Sequence, residues 1–209
     1  NADGDYTITS STAITVANGS AQDGDTITLA GAGNKTVTGL VADVSLANTN
    51  TGTTAVTTGD ASLAIASHAS AGNLTVNATA AAEGKTLTLS GGATGKTATL
   101  TGMNSTLVAT NLDSALTVGL VDATSNAITI TTGTHTTTLS GSISGDTVTV
   151  NAAALADGAS LTTSGASAYT VTNLKGDLDA SSATGVVTAT TFTNGTGSPV
   201  GVTVTTGSG

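Results

Sequence analysis

Short stretches in which threonine alternates with an aliphatic residue return about every ten residues, and they fall into two interleaved series. The first is Thr26 to Leu29, Val44 to Ala47, Leu63 to Ala66, Thr86 to Leu89, Thr106 to Ala109, Ile128 to Thr131 and Thr147 to Val150. The second is Thr36 to Thr38, Thr54 to Thr57, Leu74 to Val76, Thr97 to Leu100, Leu116 to Val118 and Thr136 to Leu139. Alternation with period two marks a strand with one buried face, because successive side chains leave a strand on opposite sides. Within either series the members lie about twenty residues apart, a spacing that belongs to stacked repeats rather than to a globular domain. Each twenty-residue rung would carry two strands, broken at corners by Gly, Asn, Asp and Ser, and would hydrogen-bond to the next rung.

Composition points the same way. Threonine approaches a quarter of the 209 residues, and the only aromatics are Tyr6, Tyr169 and Phe192. Aromatic side chains, which bury about 150 to 250 Å² each, ordinarily fill wide interiors, so this interior must be thin. A disordered chain would be poor in Val, Ile and Leu, and this one is rich in them. The alanine patches Ala78 to Ala82 and Ala152 to Ala156 are too short for helices and read as corner turns. Pro199 lies near the end in Gly-Ser-Pro, where an edge or a turn tolerates it.

The chain also repeats itself at longer range. Asp23-Gly-Asp-Thr-Ile-Thr-Leu29 is echoed by Glu83-Gly-Lys-Thr-Leu-Thr-Leu89 and by Asp157-Gly-Ala-Ser-Leu-Thr-Thr163. The phrase Thr36-Val-Thr-Gly-Leu40 returns as Thr99-Leu-Thr-Gly-Met103 and Thr170-Val-Thr-Asn-Leu174. The interval from Gly84 to Gly158 is longer than that from Gly24 to Gly84, so the second unit holds extra material, placed around Thr131 to Ser144. The expected organisation is one solenoid array over 1–209 with imperfect super-repeats 22–82, 83–156 and 157–209, an excerpt of a longer protein with no initiator Met and no signal peptide at Asn1.

The sequence therefore predicts an all-β parallel β-solenoid (β-helix) with rungs of about 20 residues. In Thr147-Val148-Thr149-Val150 the valines should face inward and the threonines outward. The rival is a pair of tandem β-sandwiches of about 100 residues each, which the strand spacing permits. Sandwiches, however, use bulkier inter-sheet cores, and a threefold repeat with unequal units does not divide this chain into halves.

A formal charge of −9 arises from twelve Asp and Glu83 against Lys35, Lys85, Lys96 and Lys175, with no Arg. No two basic residues are close in sequence, which speaks against nucleic acid and anionic lipid as partners. Without cysteine there is neither a disulfide frame nor a thiolate metal site, and the apolar stretches are too short for a membrane-spanning helix.

Few residues invite chemistry. His68 and His135 each follow Ser or Thr in a loop-like stretch and lie more than three rungs apart, so both read as solvated side chains and the expectation is a protein that is not an enzyme. Asp3-Gly-Asp5 and Asp23-Gly-Asp25 each precede a strand, and paired carboxylates across a glycine turn suit Ca²⁺, which takes several oxygen ligands. Asp3, Asp5, Asp23 and Asp25 are thus the candidate metal ligands; Asp and Gly are also simply turn formers, and the full calcium nonapeptide is missing. No other cofactor is indicated. Outward Thr-x-Thr pairs (Thr7 and Thr9, Thr26 and Thr28, Thr36 and Thr38, Thr86 and Thr88, Thr147 and Thr149) raise a second reading, a threonine-rich face that binds ice or glycan. Those pairs occur in both series and are interrupted at Val44 to Ala47 and Leu63 to Ala66. Asn-x-Ser/Thr triplets begin at Asn18, Asn34, Asn73, Asn77, Asn104 and Asn194, a number a threonine-rich chain yields by chance.

Through its repeated Asp-Gly-x-Thr-Ile-Thr-Leu and Thr-Val-Thr-Gly-Leu phrases, nearly the whole chain resembles the β-strand repeat regions of giant secreted bacterial adhesins and Thr/Ala/Gly-rich surface-layer proteins. That resemblance implies an extracellular, non-catalytic, often calcium-aided structural role at the bacterial surface, as stalk, lattice or filament. Its partners would be further repeats of the same protein, by self-association, or cell-surface glycan. The family pattern carries no catalytic residues, and none are transferred.

Overall fold

In the computed structural model, which describes residues 4–17, 22–121, 127–192 and 201–208, strands account for nearly all regular structure. Ten form one sheet: β1 (Tyr6–Thr9), β3 (Thr26–Ala30), β5 (Asp43–Leu46), β7 (Leu63–Ala66), β9 (Thr86–Gly91), β11 (Thr106–Leu112), β13 (Ala127–Thr131), β15 (Thr147–Asn151), β17 (Ala168–Leu174) and β19 (Val187–Thr191). Ten form the other: β2 (Ile14–Ala17), β4 (Lys35–Leu40), β6 (Thr54–Thr58), β8 (Leu74–Asn77), β10 (Thr97–Met103), β12 (Ala115–Leu120), β14 (Thr137–Gly141), β16 (Ser160–Gly165), β18 (Asp177–Ala183) and β20 (Val204–Thr205). Odd and even strands thus separate completely. The first sequence series lies in the odd sheet and the second in the even one.

Pairing within each sheet is parallel, each strand bonded to the one a full winding away. Register partners commonly stand about twenty positions apart along the chain, as Tyr6 with Ile27 and Leu87 with Leu107. The winding is equally short where Ile27 pairs with Val44 and where Leu161 pairs with Leu178, and longest where Leu178 pairs with Val204. This is the parallel β-solenoid the spacing predicts, and antiparallel sandwiches are not formed. Nine steps of about 4.8 Å give a stack of roughly 45 Å. Alanine patches 78–82 and 152–156 are corner turns, closed by Ala81 N–H to Ala78 O at 3.0 Å and Leu155 N–H to Ala152 O at 3.2 Å.

One continuous aliphatic cluster drawn from both sheets fills the interior. Its spine in the even sheet is a single inward column: Val16, Val37, Val56, Val76, Leu100, Val118 and Leu139, each the register partner of the next. Full burial of each such side chain contributes about 1.5 to 3 kcal/mol, so the stack gains stability in proportion to its length. The column then meets Thr163, whose hydroxyl is fully buried and finds no hydrogen-bond partner among the described residues. Val148 and Val150 point inward at 0% exposure, as their alternation requires.

The phrase Thr-x-Thr-Gly-Leu has a definite geometric job. Gly39 (φ 64°), Gly102 (φ 72°) and Asn173 (φ 55°) occupy its fourth position, and all three are left-handed. Asparagine is the side chain best able to stand in for glycine there, since its short polar group tolerates that region. At each site the ladder shows a bulge, between Val37 and Leu40, Leu100 and Met103, and Val171 and Leu174. The bulge lets two successive residues face out, which returns Leu40, Met103 and Leu174 to the core.

The long repeats are not in phase with the rungs. The acidic-Gly phrases open β3 and β9 in the odd sheet but β16 in the even one, and the bulged phrase sits on β4, β10 and then β17. The second unit is therefore longer than the first by half a winding. A half-winding shift is tolerated because both sheets obey the same inside and outside alternation.

Two large side chains depart from the aliphatic rule. Lys35 is 1% exposed, and its ammonium donates to the carbonyls of Ser10 (3.2 Å), Gly31 (3.1 Å) and Gly33, while burial lowers its pKa. Its three donors thereby meet three corner carbonyls, the condition under which an ammonium can be buried. Gly31 is required beside it: φ is +84°, and a Cβ would strike the Ser10 carbonyl one winding below. Tyr169 is 1% exposed, and its hydroxyl donates to Ser164 O at 2.9 Å.

Burial pushes the Tyr169 phenol up from 10.0 to about 12, against the opposing pull of a Gly141 backbone hydrogen bond. The folded chain therefore holds this proton more tightly than the unfolded one. Its contribution is complete below pH 10 and is lost as the pH climbs toward about 12. Circular dichroism across that window should show alkaline loss of strand signal, and Tyr169→Phe should remove that step at a neutral-pH cost of about 0.5 to 1.5 kcal/mol. Conversely, Thr163→Val deletes an unpaired buried hydroxyl without changing shape and should raise stability by about 1 kcal/mol in urea unfolding; a loss of that size would mean the hydroxyl has a partner.

Candidate binding face

Two of the acids that suggested calcium, Asp5 and Asp25, accept hydrogen bonds from backbone N–H groups. The Thr26 N–H donates to Asp5 Oδ1 at 2.7 Å, across one winding. Asp23 and Gly24 are the middle of a tight turn in which the Asp25 N–H reaches Gln22 O at 3.1 Å and the Gln22 N–H reaches Asp25 Oδ2 at 2.8 Å; φ of Gly24 is +98°. Asp25 also lies near Tyr6, whose phenol is raised by burial and by that carboxylate. Asp3, like Asn18, Asn194 and Pro199, lies outside the described residues. Among the described residues no three of His, Asp and Glu converge as a metal ion would need.

The Asp5 bond belongs to a series that sequence reasoning missed. Asn34 Oδ1 accepts from Thr53 N–H (3.0 Å), Asp43 Oδ1 from Ala64 N–H (2.6 Å) and Ser62 Oγ from Thr86 N–H (2.9 Å). Asn73 Oδ1 accepts from Thr97 N–H (3.1 Å) and Asp177 Oδ1 from Thr203 N–H (2.8 Å). In each case a short polar side chain at the entry to a strand caps the N–H at the entry to the strand above. Asn34 and Asn73 thus carry a structural role that the triplet Asn-x-Thr conceals.

The two histidines lie at the same kind of corner, His68 between β7 and β8 and His135 between β13 and β14. His68 is exposed, and its Nδ1 accepts from Ser70 N–H at 3.3 Å. His135 is half-buried and lies 2.9 Å from both Thr94 Oγ1 and Thr134 Oγ1, while Thr134 Oγ1 also donates to Asp113 Oδ1 at 3.2 Å. This chain of hydroxyl, imidazole and carboxylate links three successive windings and ties one corner together.

The most extended polar feature is a rank of outward residues along the even sheet. Thr15, Thr36, Ala55, Thr75, Thr99, Thr117, Thr138, Thr162, Asp179 and Thr205 are successive register partners through all ten strands, and eight of the ten are threonine. Asp179 is held below the usual carboxylate range by hydrogen bonds from the Ser181 side chain and backbone. In the odd sheet the column from Thr7 runs through Thr28, Ser45, Ala66 and Ser90, and threonines align in a shorter run, Thr129, Thr149, Thr170 and Thr188. The interruptions at Val44 to Ala47 and Leu63 to Ala66 that weakened the ligand-face reading therefore both belong to the odd sheet.

No family model matches the chain, and neither does any curated protein or solved structure. The all-parallel solenoid is an architecture consistent with adhesin and surface-layer repeats but not specific to them. No helix among the described residues is long and apolar enough to cross a membrane.

Asp5 offers a direct separation of its two roles. If its carboxylate acts as a backbone cap, Asp5→Asn should keep the melting temperature, as Asn34 and Asn73 fill the same role, whereas Asp5→Ala should cost about 0.5 to 2 kcal/mol, as for a lost helix cap. A melting temperature that rises with Ca²⁺ in the parent and not in Asp5→Asn would assign the acid to metal instead.

Proposed function

We propose that the chain is a non-enzymatic structural segment of a secreted bacterial cell-surface protein, a rod that spans or packs as adhesin stalk, surface-layer element or extracellular filament. The observation that carries this reading is the stack itself: one aliphatic column and two continuous parallel ladders, whose length grows with each rung added. Such a body is stiff along its axis, because every strand is tied to the next by backbone hydrogen bonds. Its outer faces are mostly threonine, serine and alanine, with the charges gathered largely at corners and strand entries.

Self-association fits the same design. At β18 to β20 the column opens into a cavity of about 250 Å³ lined by Leu178, Ala183, Val187, Ala189 and Val204, and Val204 is 48% exposed. Neighbouring repeats of like construction are the partner this design suits, because each rung pairs with the next through the same parallel backbone ladder. The resemblance of the repeated phrases to surface-protein repeats supports the extracellular location.

Antibody raised against this segment should label intact source cells, and images of the parent molecule should show a slender rod. Label that appears only after the cells are permeabilised would overturn the location. Turnover of any polysaccharide by the purified chain would overturn the non-enzymatic reading.

A further inference from the structure

We infer that the outward face of the even sheet is an ice-binding plane, in which the long threonine rank orders water into an ice-like array. This goes beyond a rod's structural role and does not depend on where the protein resides.

Four observations carry it. The rank is regular: register partners in parallel strands stand about 4.8 Å apart, and the next outward residue along a strand lies about 6.6 Å away. A second outward column accompanies it in stretches, Ala17 with Thr38, Thr57 with Asn77 and Thr101, and Gly119 with Ser140, Ser164 and Ser182. The result is a two-dimensional grid mostly of hydroxyl and methyl groups, with an amide at Asn77 and no side chain at Gly119. The grid is also uncharged, with Thr15 through Thr162 and their outward neighbours carrying no ionisable side chain; Asp179 is the first charge on the rank.

The rank's hydroxyls remain available to solvent. None of its eight threonines uses its Oγ1 in a hydrogen bond to another described residue, unlike Thr172 in the odd sheet, which donates to Val150 O at 3.2 Å. Finally, the grid is stiff. A β-branched side chain has few χ1 choices, and each of these threonines from Thr36 to Thr138 is backed by an inward Val, Leu or Ala of the same strand in a packed column.

These properties select the occupant. A charged face would orient water around its ions and compete with a lattice. An isolated glycan is ordinarily held in a concave pocket by a few convergent polar groups, whereas this face repeats one group along a ten-stranded sheet, with a single alanine among its first eight positions. Each hydroxyl can give one hydrogen bond and accept two, and the methyl beside it excludes water from the gaps. A repeating, neutral, preorganised surface fits an extended crystal plane, and among crystalline solids ice shares the hydroxyl's own hydrogen-bonding chemistry.

The test uses the whole chain in nanolitre osmometry with ice-crystal imaging. The parent should facet ice crystals and hold a gap between melting and growth temperatures. Thr75→Tyr combined with Thr117→Tyr puts two bulky rings in mid-rank and should abolish both effects, while Thr28→Tyr, in the interrupted part of the odd sheet, should leave them unchanged. Circular dichroism of all three chains checks that the strands persist. If the double variant loses strand signal, Thr75→Val with Thr117→Val replaces it, preserving shape while removing hydroxyls, and the gap should narrow. A parent chain that neither facets ice nor separates the two temperatures overturns the inference, as does equal loss in Thr28→Tyr. Retention of insoluble chitin or cellulose by the parent, lost in the rank variants without any ice activity, would overturn it in favour of a glycan face.

Discussion

Everything in this molecule depends on the parallel backbone ladder between one winding and the next. Each strand bonds to partners about twenty residues before and after it, so no strand is stable alone and all are stable together. Because the ladder runs along the axis, the side chains are left with two simple duties. Those pointing inward must be aliphatic and of similar width, and those pointing outward must suit a pleated surface. Valine and threonine, nearly identical in shape, divide these duties between them, as Thr75 and Val76 or Thr117 and Val118 illustrate.

The corners carry the cost of winding. A backbone that turns every ten residues or so exposes N–H and carbonyl groups that the ladder does not reach, and each needs a partner. The chain meets the need with short side chains reaching to the next winding, such as Asp5, Asn34, Asn73 and Asp177, and once with a buried ammonium, Lys35. Bulges at Gly39, Gly102 and Asn173 solve a related problem by bringing a leucine or methionine back inside after two exposed residues. Polar residues that look like isolated signals along the sequence thus become one system of vertical ties.

Much of this was legible before any coordinates. Both strand series, the assignment of inner and outer faces and the alanine corners follow from period-two alternation and turn residues, and each is where the spacing put it. The site was less legible. Asp-Gly-Asp suggested paired metal ligands, but Asp5 turns to an amide of the next winding and Asp25 to one within its own turn, a difference set by which N–H lies within reach. The histidines looked alike, yet one is exposed and the other is bound into a chain from Thr94 to Asp113, a relation spanning two windings that no local pattern could reveal. The left-handed role of Asn173 was readable only by aligning it with Gly39 and Gly102.

By itself the sequence determined the period, the polarity of each face and the thinness of the core, because these depend only on neighbours one or two residues apart. The tertiary structure alone decided which threonines line up. Rungs differ in length, from the short winding between Ile27 and Val44 to the long one between Leu178 and Val204, so alignment cannot be counted along the chain and is set by where each strand settles on the one beneath it. That settling makes a long rank on the even sheet and an interrupted one on the odd sheet from strands of nearly the same composition. Local preference chooses inside from outside, and only the stacking of distant segments turns scattered hydroxyls into a surface.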